Sequence, residues 1–133
     1  MRYLFLATFL MVLIGSTFAQ NTSAITVDEQ TICTAVEERM PVGSDSSYAN
    51  DIGKLYCFTK ISGIEDVATI FHIWSLNDEE KAKVELSVKG NSWRTWSSKN
   101  IDPSWVGSWK VEIVAENGDV LSTKTFVITK AAE

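Results

Sequence analysis

A strict alternation of apolar and charged residues over residues 81–89, KAKVELSVK, constrains the fold of this chain more than any other feature. Its apolar positions are Ala82, Val84, Leu86 and Val88, and its charged positions are Lys81, Lys83, Glu85 and Lys89. Successive side chains of a β-strand point to opposite faces. The stretch therefore predicts a strand with one buried and one solvent-facing side.

The rest of the chain also predicts strands, because short apolar runs rich in β-branched and aromatic residues recur without a sustained helical period. These runs are residues 31–38, 54–61, 68–76, 93–99, 109–115 and 120–129, with a weaker one at 24–27. Residues 77–80 form a turn, and Asn117-Gly118 predicts a type I′ hairpin. About seven short strands predict an all-β fold, an immunoglobulin-like antiparallel β-sandwich.

The first 19 residues have the pattern of a secretory signal peptide. Arg2 precedes an uncharged apolar run, and Thr17 and Ala19 supply the small residues before a cleavage site. A short membrane anchor is the less favoured alternative, because the run is too short to span a bilayer. We expect a flexible segment over 20–30, a β-sandwich domain over 31–133, and no membrane span after cleavage. Export predicts the periplasm, with the extracellular medium as the alternative.

The charge balance of the chain limits the classes of partner. The net charge is −5 and no basic cluster is present, which argues against binding to nucleic acid.

Cys33 and Cys57 are the two cysteines, and an exported protein with an even number most simply pairs them. We therefore expect a Cys33–Cys57 disulfide. It would close the irregular stretch 39–53, in which Asp45 and Asp51 are weak candidates for calcium ligands.

A catalytic site is not favoured. His72 is the one histidine, and it lies in the middle of the most apolar strand. A triad of Ser97 or Ser98 with His72 and Asp102 is conceivable, but no nucleophile-elbow glycines flank either serine. We expect a protein that is not an enzyme and that carries no cofactor or metal.

Alternation divides the strand over 68–76 into two faces. A tryptophan in the third strand of a sandwich commonly fills the core, which places Ile70, His72 and Trp74 inward. We expect His72 to be a buried neutral imidazole that is hydrogen-bonded to a neighbour. The outward positions are then Phe71, Ile73 and Ser75, and an exposed apolar pair there is either covered or meets a partner.

The strand SWRTWSSKN, residues 92–100, carries two tryptophans on opposite faces. One of Trp93 and Trp96 should face the core beside Trp74 and Trp109, which leaves open which indole is exposed. If Trp96 is the outer one, Arg94 lies on the same face and can stack on it. An indole covered in this way would stiffen an edge strand. The alternative is a binding platform that Trp96 forms with Trp105 and Tyr48.

Several motifs together resemble the bacterial family known as domain of unknown function 2914. They are H-x-W at His72 and Trp74, WRTWSSK at 93–99 and G-x-W at Gly107 and Trp109, together with Glu38, Arg39 and Pro41. The similarity extends from Thr31 to Ile128. Position 73 is apolar here, whereas polar or basic residues are common there in the family. The resemblance implies a small all-β envelope domain and supplies no activity.

These observations predict a secreted, non-enzymatic module that acts by protein binding or assembly at the cell envelope. A carbohydrate-binding module that uses exposed tryptophans is the alternative. The expected partner is an envelope protein or a glycan, and the polar segment 20–30 could add as a strand to a neighbouring copy. The candidate partner surface comprises Tyr48, Phe71, Ile73, Arg94, Trp96 and Trp105, and the core motif comprises His72, Trp74, Trp93 and Trp109.

Overall fold

The computed structural model describes residues 24–132, and within that range the chain is all-β without a helix. No helix in the described range could therefore span a membrane. The predicted signal peptide over 1–19 and the first residues of the predicted flexible segment lie outside the described residues.

Ten strands make up the described chain. In order they are β1 Thr26–Cys33, β2 Ala35–Glu37, β3 Met40–Val42, β4 Ser47–Ala49, β5 Lys54–Ser62, β6 Val67–Leu76, β7 Glu79–Lys89, β8 Ser92–Asn100, β9 Gly107–Ala115 and β10 Val120–Thr129. The seven strands of eight or more residues correspond to the predicted apolar runs. The three short strands β2, β3 and β4 lie mainly in the stretch that we expected to be irregular.

The strands form two main sheets and one small hairpin. A three-stranded sheet has the order β1-β5-β8, and a five-stranded sheet has the order β4-β10-β9-β6-β7, while β2 pairs with β3. Every pairing is antiparallel except that of β4 with β10. The edge strands are therefore β1 and β8 in the three-stranded sheet and β4 and β7 in the five-stranded sheet.

The core lies between the two large sheets, because each sheet contributes apolar side chains to the same cluster. Ile32, Leu55 and Cys57 come from the three-stranded sheet and meet Trp74 and Trp109 of the five-stranded one. Phe126 packs edge-on to Trp74 at 6.2 Å and stacks on Trp109 at 5.8 Å between ring centroids. A second cluster, Ile61, Ile64, Ile70, Val88 and Ile113, fills the other part of the interface.

Two turns of the chain differ from the predictions. Asn77 and Asp78 alone form the tight β6–β7 turn, with φ of 47° and 66°, so Glu79 and Glu80 already belong to β7. The predicted type I′ turn at Asn117-Gly118 is wrong, because only Gly118 has a positive φ. The Gly118 amide instead donates to the Ala115 carbonyl, and the β9–β10 register shifts beside the turn.

The N-terminal part of the domain is also more ordered than we expected. Residues 26–30, assigned from sequence to a flexible segment, pair with β5 as the first part of β1. The strand expected over 31–38 is broken at Thr34 into β1 and β2. The β2–β3 hairpin turns at Glu38 and Arg39, both with positive φ.

Candidate functional site

A chain of polar side chains crosses the interior between the two sheets and includes His72. The imidazole is fully buried, with Nδ1 2.7 Å from Ser97 Oγ on β8 and Nε2 3.0 Å from Thr59 Oγ1 on β5. The Trp74 indole N–H donates to the same Ser97 Oγ at 3.0 Å. The H-x-W strand and the WRTWSSK strand therefore meet at a single hydroxyl.

Each ring nitrogen of His72 is paired with a buried hydroxyl. Ser97 Oγ accepts from Trp74, so its own hydrogen is free to donate to Nδ1 of His72. In that arrangement Nε2 carries the proton and donates to Thr59 Oγ1. Both nitrogens of the imidazole therefore have a partner inside the protein.

Burial keeps the imidazole neutral. Desolvation lowers the pKa of His72 to about 4, because water does not reach the ring to stabilise a positive charge. Gln30 of β1 forms a further polar contact between the two sheets: its amide donates to the Cys57 sulfur at 3.6 Å and to the Val111 carbonyl at 2.9 Å. Each buried polar side-chain atom among the described residues has a partner.

The conceivable catalytic triad is not assembled. Ser97 is 4% exposed, so a substrate has no access to its hydroxyl. Asp102 lies at the surface, where its Oδ1 accepts hydrogen bonds from the hydroxyl and the amide of Ser104. The Ser104 hydroxyl holds the pKa of the Asp102 carboxyl below its usual value. Ser98 is exposed on the opposite face of β8.

The predicted disulfide is not present, and Cys33 and Cys57 are free buried thiols. Ile32, not Cys33, lies directly across from Cys57 in the β1–β5 pairing. Because directly opposed residues share a face, Cys33 points away from the core that Cys57 enters. Burial raises the pKa of Cys33, and it raises the pKa of Cys57 to about 12, so both thiols stay protonated.

The structure places the two tryptophans of β8 on opposite sides of the sheet. Trp93 faces inward and packs on the cluster around Ile61, rather than beside Trp74. Trp96 faces outward and is 38% exposed. The expected stacking of Arg94 on Trp96 is absent from the cation–π contacts of the described residues. Instead Arg94 lies across from Lys60, and Trp96 lies across from the fully buried Phe58.

The other candidate surface residues do not join Trp96 in one platform. Tyr48, expected at the surface, is only 8% exposed, and its hydroxyl lies within hydrogen-bond distance of the Ile32 and Gly43 carbonyls. Phe71 and Ile73 lie on the outer face of the other sheet, half-buried, with Lys83 Nζ 4.6 Å above the Phe71 ring.

Trp105 packs against the core cluster that contains Trp74 and Trp109. Its backbone carbonyl accepts from the Trp109 indole at 3.0 Å, and the two rings are 6.0 Å apart. The ammonium groups of Lys81 and Lys99 each lie 5.1 Å from the Trp105 ring centroid. Trp105 is therefore half-buried and engaged by cations of its own chain.

Sequence reasoning missed Thr59 and Gln30 as polar contacts between the two sheets. The period-two pattern of β5 places Thr59 on the inward face with Cys57, which was the available signal. Asp45, weighed as a calcium ligand, accepts from the amide of Ser46 at 2.7 Å. No group of three potential metal ligands occurs among the residues that the structure describes.

The solved structures that this chain resembles include two β-glucosidases, both at low similarity. The GH3 enzyme from Bifidobacterium adolescentis is 8% identical to this chain, with a TM-score of 0.46. The alignment covers 78% of this chain and 17% of that enzyme. The enzyme from Listeria innocua, in complex with glucose, is 11% identical to this chain, with a TM-score of 0.48. The alignment covers 78% of this chain and 15% of that enzyme. This chain therefore spans less than a fifth of either structure's length.

No curated protein matches the sequence. A family model described as "Protein of unknown function (DUF2914)" matches residues 67–128, which contain the H-x-W, WRTWSSK and G-x-W motifs. The match begins at residue 67, so the wider resemblance from Thr31 stays a prediction. Residues 67–128 therefore match the DUF2914 family, as those motifs predicted.

Proposed function

We propose that this chain is a secreted, non-enzymatic module that acts by protein binding or assembly at the bacterial cell envelope, on an immunoglobulin-like β-sandwich. The proposal rests on one observation above all. The side chains with catalytic potential, His72 and Ser97, are sealed between the sheets, while Trp96 of the same strand as Ser97 opens to the outside. The signal-peptide pattern of residues 1–19 supports export.

The surroundings of Trp96 indicate the kind of partner. We name the outward side chains Arg94, Trp96 and Ser98 of β8, with Tyr56 and Lys60 of β5, the Trp96 surface. Arg94 and Lys60 are directly opposed across the two strands, and neither forms an ion pair among the described residues. Like charges in that position destabilise a sheet. An acidic protein segment beside the indole would neutralise them and would cover Trp96.

A carbohydrate-binding module is the second candidate. The observation that favours it is the same exposed indole, because a tryptophan ring presents a flat apolar surface that can pack on a sugar ring. An acidic glycan would also suit Arg94 and Lys60. The two candidates differ in the chemical nature of the bound partner. Crosslinking the partner to the chain and identifying it as protein or polysaccharide therefore distinguishes them.

The test is site-specific photo-crosslinking in cells that express the full-length sequence. A photoreactive residue replaces Trp96, and the matched control replaces Thr125, an exposed position on the outer face of the other sheet. We expect a protein adduct at position 96 that the control lacks and that Arg94→Glu weakens. A polysaccharide adduct would support the second candidate, and no adduct at position 96 would contradict both.

A further inference from the structure

The second edge of β7 carries no strand. β7 is the last strand of the five-stranded sheet and pairs with β6 along one side only. At eleven residues it is the longest strand of the described chain, and no other strand of that range pairs with its free edge. Such an edge presents a row of unpaired backbone groups that can accept another strand.

The two residues that flank Val84 in β7 carry opposite charges. Lys83 precedes it and Glu85 follows it, and both point to the outer face opposite Ile73 and Phe71 of β6. If two copies paired antiparallel about a two-fold axis at Val84, Lys83 of each copy would lie directly across from Glu85 of the other. Opposite charges in this position stabilise a strand pair, and like charges destabilise it.

Charge and strand overlap together select a single register. An axis at Lys83 would oppose two lysines, and an axis at Glu85 would oppose two glutamates. An axis between residues would set outward side chains against inward ones, which the pleat forbids. An axis at Ser87 would also oppose Glu85 and Lys89, but it would pair only residues 85–89 of the strand. The axis at Val84 gives two attractive pairs and pairs the whole of β7. On the inner face it also brings Val84 onto its own copy and Ala82 onto Leu86, all three of which are half-buried in the single chain.

Neither charged group forms an ion pair among the described residues, and the Lys83 ammonium contacts only the Phe71 ring, 4.6 Å from its centroid. The ion pairs of the described residues join Lys81 to Glu79 and Lys110 to Asp78 and Glu112, so Lys83 and Glu85 take part in none. The other edge strands offer no comparable pattern. The charged residues of β8, Arg94 and Lys99, are both positive, those of β1, Asp28 and Glu29, are both negative, and β4 has none.

We propose that β7 is a self-association edge, through which two copies of this chain pair antiparallel about Val84 and join their five-stranded sheets into one continuous sheet. This inference specifies the assembly part of the proposed function. It lies on the opposite sheet from the Trp96 surface, so either can fail without the other. Lysine on an edge strand also discourages pairing in general, and the experiment separates that role from self-recognition.

The experiment is a charge swap followed by sedimentation equilibrium of protein expressed from the full-length sequence. Lys83→Glu and Glu85→Lys each create two like-charge pairs across the axis, and we expect each to weaken dimerisation by about tenfold or more. The double variant restores both attractive pairs with the signs exchanged and should return to the wild-type dimer. Lys130→Glu, an exposed lysine outside the strands, is the matched control and should leave dimerisation unchanged.

Three outcomes would overturn the inference. They are a wild-type protein that stays monomeric at every concentration tested, single variants that dimerise as well as the wild type, and a double variant that dimerises no better than the singles. Thermal unfolding of each variant shows whether it is folded. Because the double variant contains both single changes, its recovery rules out loss of the Lys83–Phe71 contact as the cause.

Discussion

At the scale of single residues, Ser97 explains why the H-x-W and WRTWSSK motifs occur together. Its hydroxyl accepts from Trp74 and bonds to His72, so it joins β8 to β6 across the interior. A polar group in this position costs free energy unless all of its hydrogen bonds are made. The inward residues of the motifs therefore describe a requirement of the core. The outward residues, which are Arg94, Trp96 and Ser98 of WRTWSSK and Ile73 of H-x-W, remain for contacts with other molecules.

Replacing Ser97 by alanine should destabilise the fold strongly. The change leaves the Trp74 N–H and Nδ1 of His72 buried without partners, and the expected loss is about 2–4 kcal/mol of unfolding free energy. Ser98→Ala on the exposed face of the same strand is the control and should change stability by less than about 0.5 kcal/mol. Denaturant unfolding measures both. Equal effects of the two changes would contradict the role given to Ser97.

For β6, the inward or outward direction of a residue was predictable, whereas its hydrogen-bond partner was not. Alternation placed His72 and Trp74 inward and Phe71 and Ile73 outward, as the strand register has them. The bond from His72 to Thr59 depends on how β5 and β6 lie across from each other in different sheets, and a period-two pattern holds no information on that. Tyr48 was misplaced because its short strand, β4, was not recognised.

At the scale of elements, Gly107 shows why a glycine opens the G-x-W strand. Gly107 has φ +145°, and an added Cβ would lie 2.8 Å from the Asn77 side chain. That side chain accepts from the Ser108 amide and so ties the β6–β7 turn to the start of β9. The glycine therefore permits a close contact between two chain reversals that are remote in sequence.

Gly107→Ala should loosen this corner. The strained backbone and the displaced Asn77 side chain predict a loss of about 1–3 kcal/mol. Gly90→Ala is the matched control, since Gly90 also has a positive φ but open space around its Cβ position. Thermal unfolding of the two variants separates backbone strain from the contact with Asn77. A loss at Gly107 no larger than that at Gly90 would show that the contact adds nothing.

At the scale of the whole molecule, the sealed imidazole couples stability to pH. The folded pKa of His72 is about 4, below the 6.5 of an unperturbed histidine, so the unfolded chain binds a proton more readily. The stability from this group is complete above pH 6.5, falls as the pH drops, and is lost at about pH 4. The full difference amounts to about 3 kcal/mol.

Urea unfolding at a series of pH values measures this coupling. Wild-type stability should decline steadily between pH 6.5 and 4. His72→Gln keeps a polar side chain but cannot titrate, so its stability should be nearly constant over the same interval. Because His72 is the chain's single histidine, no other imidazole contributes. A wild-type profile as flat as that of His72→Gln would show that the imidazole is hydrated in the folded state.

The sequence by itself determined the approximate positions of the long strands, the inward and outward faces of β6 and β7, and the match of residues 67–128 to the DUF2914 family. These follow from period-two alternation and from local motifs, which depend on neighbouring residues alone. The tertiary structure decided that Cys33 and Cys57 lie on opposite faces, that Ser97 meets both His72 and Trp74, and that Trp96 remains outside. Each of these depends on which residues oppose one another across strands and sheets, and register is a property of the packed chain rather than of any segment within it.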